Sequence, residues 1–142
     1  MRKHLIKCIM GLACLTLLAM PLTAQKGGKG GSGGSTSCAV VATPVLSTTS
    51  ASAGINVGVF SRVGNCSGGK KRFTVSVSAM SSCGQETVIA SPVISFDGGQ
   101  YKLISTTYTV APDTCLGSTE VKVSVYSGDT MLASDHAMLM IQ

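Results

Sequence analysis

At 142 residues the chain has room for one domain and short extras. Aromatics make up only 4% and charged residues 12%, with no Trp; Ser, Thr, Gly and Val fill the gap, which suits strands and turns better than helices. The formal charge of +5 overstates any basic character: setting aside Arg2, Lys3 and Lys7 leaves eight basic residues against six acidic ones, near +2, too weak for a nucleic-acid partner.

Those three basic residues open the chain. An apolar run follows from Cys8 to Met20, broken by Pro21, with Leu22-Thr23-Ala24 supplying a small residue at a cleavage point. This is the order of a secretory signal, residues 1–24, and its apolar run is shorter than the roughly 18 residues of a membrane span. Cys8 and Cys14 read as apolar filler; the rival reading takes Gly11-Leu12-Ala13-Cys14 as a lipidation box, although Gly11 stands where such boxes carry Leu. Residues 25–37 are Gly, Ser, Lys and little else, and read as a flexible linker. The signal predicts a secreted, periplasmic or cell-surface protein with no membrane attachment after cleavage.

From Cys38 onward, residues 38–142 read as one domain, with turn signals between alternating segments. The first segment, 39–48, is interrupted by Pro44 and reads as an edge strand. The second places Ile55, Val57 and Val59 on one face. The third alternates cleanly, Phe73, Val75, Val77 and Ala79 inward against Thr74, Ser76 and Ser78. Lys70, Lys71 and Arg72 before it read as a solvated turn. A short fourth segment, 87–90, is extended by 93–96 or separated from it by a bend. Asp97-Gly98-Gly99 is a turn into the fifth segment, 101–110. The sixth sets Val121, Val123 and Val125 against Lys122, Ser124 and Tyr126, and Ser127-Gly128-Asp129 turns it into the seventh, 131–141. About seven short antiparallel strands predict a single all-β sandwich. In the last strand, Met131, Met138 and Met140 read as core filling.

Four cysteines remain after the signal: Cys38, Cys66, Cys83 and Cys115. An even count in a small exported domain predicts two disulfides among three possible connectivities. If consecutive strands alternate ends, Cys38 and Cys66 share one end and Cys83 and Cys115 the other. The expected bridges are therefore Cys38–Cys66 and Cys83–Cys115, each worth roughly 3–4 kcal/mol in the loop-entropy picture. None of the four lies within two to four residues of another, which argues against a zinc site. Asn65-Cys66-Ser67 fits a glycosylation sequon that a bridge at Cys66 would hinder.

No catalytic constellation is legible, and no cofactor is expected. The domain's one histidine, His136, lies in the last strand, where its neighbour Asp135 points to the opposite face. Of the acids Glu86, Asp97, Asp113, Glu120, Asp129 and Asp135, three are turn formers, and a calcium site built from turn carboxylates is the remaining metal reading.

The stretch from Ala53 to Ile141 resembles the bacterial immunoglobulin-like modules of secreted and cell-surface proteins. Gly54 precedes a strand of alternating Val, Asn65 closes it, Asp97-Gly98 makes the mid-domain turn and Gly117 leads into the penultimate strand. Fibronectin-like and related sandwiches fit the same residues. The resemblance implies a non-catalytic module for adhesion or ligand display, whose partner is an extracellular protein or glycan. The alternative is a self-associating component of the envelope or of an extracellular fibre, because strands rich in outward Ser and Thr leave sheet edges weakly protected.

Overall fold

The computed structural model describes residues 36–142, so the predicted signal and residues 25–35 of the predicted linker lie outside the described residues. The domain is all-β. Its strands are β1 (Ala39–Val41), β2 (Val45–Leu46), β3 (Ser50–Ala51), β4 (Asn56–Asn65), β5 (Lys71–Met80), β6 (Glu86–Ala90), β7 (Val93–Phe96), β8 (Tyr101–Thr109), β9 (Gly117–Ser127) and β10 (Thr130–Ile141).

They form two sheets. In the first, β1 and β2 follow one another along one side of β4, and β8 runs along its other side. The second has the order β3-β10-β9-β5, with β6 and β7 sharing the far edge of β5. Side chains alternate across each strand, and the inward sets of both sheets make one core. Val57, Val59 and Val63 come from β4; Phe73, Val75 and Val77 from β5; Val121, Val123 and Val125 from β9; Leu139 and Ile141 from β10. Phe73 and Phe96 meet within it at 5.7 Å.

Several expectations need correction. The seven predicted segments resolve into ten strands, because Pro residues interrupt the edges. Pro44 divides the first segment into β1 and β2, and the chain then crosses to the other sheet as β3. Of the two readings of the fourth segment, the bend holds: Ser91-Pro92 separates β6 from β7, which keep company with the same neighbour through Val75 N–H donating to Pro92 O at 2.9 Å. The arrangement is also not wholly antiparallel, since β3 pairs parallel with β10.

Ile55 is half exposed, unlike Val57 and Val59, because it belongs to the Ser52–Ile55 turn that precedes β4. Met131, Met138 and Met140 do not fill the core and are all about half exposed. An irregularity between Met131 and Ala133 sets the parity of β10, and Leu139 and Ile141 take the inward positions. The basic cluster divides, too: Lys70 is exposed ahead of β5, while Lys71 and Arg72 belong to the strand itself.

Both disulfides pair as expected. Cys38–Cys66 continues the β1–β4 ladder, with Cys66 N–H donating to Cys38 O at 3.0 Å. At the opposite end, Cys83–Cys115 ties the β5–β6 turn to the segment leading into β9. Two disulfides point to an oxidising compartment. Among the described residues no helix is long and apolar enough to cross a membrane.

Candidate functional site

The outer face of the first sheet gathers five exposed large apolar side chains, Val40, Val45, Phe60, Tyr101 and Leu103, around a single charge. Val59, Ser61 and Val63 of β4 point inward, so Gly58, Phe60, Arg62 and Gly64 point out. Register then fixes their neighbours. Val40 and Tyr101 flank Gly64, Leu103 lies beside Arg62, and Val45 and Ser105 flank Phe60. Leu103 is 66% exposed, Val45 65% and Tyr101 53%.

Two of these rings lie over glycines. A Cβ added at Gly64 would sit 2.5 Å from Tyr101 ring carbons and 2.9 Å from a Val40 methyl; one at Gly58 would sit 2.9 Å from the Phe60 ring. The missing side chains thus let both rings settle onto the sheet, where they replace the contacts the glycines cannot make. The Arg62 guanidinium stands 5.7 Å from the Tyr101 ring centroid, within cation–π range. Beside it Val40, Val41, Ala42, Arg62 and Tyr101 line a shallow cleft of about 440 Å³.

Arg62 is the one charge among the described outward residues of this sheet. The face carries no carboxylate, histidine or thiol. Its chemistry is therefore contact: apolar and aromatic area around one guanidinium. The outer face of the second sheet differs. Met80 and Met138 there flank Glu120, and His136 and Ser78 flank Lys122, so charges divide the exposed methionines.

The residues singled out from sequence fall elsewhere. His136 is exposed on that second outer face, away from the cysteines in register. Asp135 accepts hydrogen bonds from the Thr43 hydroxyl at 2.7 Å and from the His136 N–H at 2.8 Å, which hold its carboxyl below the ordinary value of 3.8. Asp97 and Asp129 lie in turns at the Cys38–Cys66 end and Asp113 near Cys115; no three His, Cys, Asp or Glu side chains among the described residues converge as a metal site.

Asn65 of the sequon is fully buried. Its Nδ2 donates to Gly69 O at 2.7 Å and Asp97 O at 3.1 Å, while its Oδ1 accepts from the Ser67 N–H at 2.9 Å. It is a bracket for two turns rather than a point of attachment. Sequence reasoning missed this exposed apolar face, although one signal was present: β8 is apolar on both sides, with Tyr101 and Leu103 on one and Ile104 and Tyr108 on the other.

No protein-family model and no curated protein matches the sequence. Solved structures do resemble the fold. A β-glucosidase from Erythrobacter marinus aligns with a TM-score of 0.61 at 9% identity, over 75% of this chain and 16% of that one. The alkylpurine DNA glycosylase AlkC from Pseudomonas fluorescens aligns with a TM-score of 0.61 at 13% identity, over 73% of this chain and 30% of that one. The CARDB domain of the PF1109 protein from Pyrococcus furiosus aligns with a TM-score of 0.58 at 13% identity, over 75% of this chain and 89% of that one. The chain thus spans less than a third of the two enzymes, and at such identities the likeness is one of fold alone.

Proposed function

We propose that this chain is a secreted, non-catalytic binding module with an immunoglobulin-like sandwich, and that the outer face of its first sheet grips an extracellular protein. The observation that carries this reading is the cluster of Val40, Phe60, Arg62, Tyr101 and Leu103 on one exposed sheet face. Aromatic residues and Arg are enriched in protein–protein interfaces and at their energetic centres, whereas other charges are depleted there. A glycan would call for several convergent polar groups; this face offers one guanidinium and the hydroxyls of strand Ser and Thr. The two disulfides fit a module that works outside the cell.

The test is Tyr101→Ser combined with Leu103→Asp. Both side chains are more than half exposed and the core is untouched, so the double variant should stay folded, giving up only the packing of Tyr101 on Gly64 and Arg62. Binding of the purified protein to an array of extracellular proteins should fall by at least tenfold. Unchanged binding by the folded variant refutes the assignment, and binding to a glycan array in place of proteins replaces the partner class.

A further inference from the structure

Beside this face runs a strand with one unpaired edge. Strand β8 pairs with β4 only, and no other described residue extends the sheet beyond it. The other edges are interrupted: Pro44 between β1 and β2, Pro92 between β6 and β7, and a two-residue β3 over part of β10. Nine residues of β8 run without proline or register shift. Such an edge is what β-proteins usually blunt with charge, proline or a bulge.

The ladder shows which groups face outward. Asn65 N–H donates to Gln100 O and Val110 N–H to Ile55 O. In an antiparallel pair the backbone groups alternate between the partner and the other side. The even-numbered residues of β8 therefore serve β4, and Tyr101, Leu103, Ser105, Thr107 and Thr109 direct their N–H and C=O groups to the free edge.

We propose that a second copy of this chain pairs there, β8 against β8 and antiparallel, about a two-fold axis through Ser105. Ser105 is the midpoint of Tyr101–Thr109. A two-fold at that residue sets Tyr101 opposite Thr109, Leu103 opposite Thr107 and Ser105 opposite itself. All five outward residues then meet outward residues, and every unpaired group of the strand finds a partner. An axis at any other residue leaves part of the strand unpaired or sets mismatched groups face to face.

Charge agrees with this occupant. The one charge on β8 is Lys102, whose ammonium turns inward to donate to Ser95 O at 2.7 Å. Three positions from the axis, it lies roughly 20 Å along the strands from its counterpart at about 3.4 Å per residue, beyond the screening length of about 8–10 Å. Half-buried Ile104 comes to lie opposite Thr106 of the second copy, which covers the open side of each core. The two apolar faces join into one continuous face, with both Phe60 rings flanking the axis through Ser105. Because the pairing is isologous it uses up both edges and closes at a dimer.

The purified protein in analytical ultracentrifugation should sediment at twice the mass of one chain. Ser105→Pro removes an N–H that β4 does not use, so it should yield a folded monomer; if that variant unfolds, Ser105→Lys sets like charges opposite each other and should dissociate the dimer instead. Ser105→Cys should cross-link on mild oxidation, since residues in such a pair lie about 5.5 Å apart, while Leu103→Cys, facing Thr107, should not. A monomer at every concentration up to about 1 mM, where even weak association shows, overturns the proposal. So does a Ser105→Lys variant that stays dimeric, or cross-linking through Leu103→Cys equal to that through Ser105→Cys.

Discussion

Thr43 and Asp135, 92 positions apart, share a 2.7 Å hydrogen bond that ties the strand-switching first segment to β10. It joins the edge of one sheet to the other beside the Pro44 break. The bond favours ionised Asp135, so the carboxyl titrates below 3.8. Its stabilisation is complete above the unfolded value and fades as pH falls through the lower folded value. In Thr43→Val, carboxyl titration followed by NMR should show Asp135 moving up toward 3.8, with no change in stability at acid pH where the group is protonated in both states.

Asn65→Ala removes a buried side chain that serves four backbone groups, at Ser67, Gly69, Phe96 and Asp97. Buried groups left without partners cost about 1–3 kcal/mol each, moderated by relaxation of the turns. Urea unfolding should show a loss of about 2–4 kcal/mol, among the larger effects of a single substitution.

The two disulfides should separate by function. Removing either one should cost roughly 3–4 kcal/mol in the loop-entropy picture. Replacing Cys38 and Cys66 with Ser also releases the start of β1, whose Val40 and Val41 line the cleft, so it should weaken partner binding beyond the loss of stability. Replacing Cys83 and Cys115, at the far end, should leave the affinity of the folded fraction intact. Titration at a temperature where both variants are folded distinguishes the two.

Thr119 is fully buried, and its Oγ1 has no hydrogen-bond partner. Thr119→Val keeps the shape and deletes the stranded hydroxyl. It should raise stability by about 1 kcal/mol, since losing an unpaired buried polar group is a gain. A lower melting temperature would show that the hydroxyl has a partner after all.

Local alternation made the centre of the domain readable: Phe73, Val75, Val77 and Ala79 point inward as their spacing predicts. The disulfide pairing followed from strands that alternate ends, which needs no knowledge of partners. Parity was harder in β10, where Met138 and Met140 compete with Leu139 and Ile141 for the core. Pairing with β9, which sets Leu139 against Thr119 and Ala137 against Val121, decides it through contacts distant in sequence. The same ambiguity hid the exposed apolar face, because the two apolar sides of β8 are equivalent until the sheet shows which one faces the core. The bracket around Asn65 was illegible for a related reason: its partners lie up to 32 positions away.

The route of the first segment also gives the domain a direction under load. Strand β1 begins at the Cys38–Cys66 end, whereas β10, in register with β3, finishes at the Cys83–Cys115 end. A pull between Cys38 and Ile141 therefore runs along the strands, across hydrogen bonds that lie perpendicular to them. The ladders holding β10 are loaded in shear, all bonds at once, instead of being peeled one at a time. At the other terminus the Cys38–Cys66 bridge passes tension directly to β4, so the short β1 ladder carries little of it. The domain is thus built to resist being drawn out along its strands.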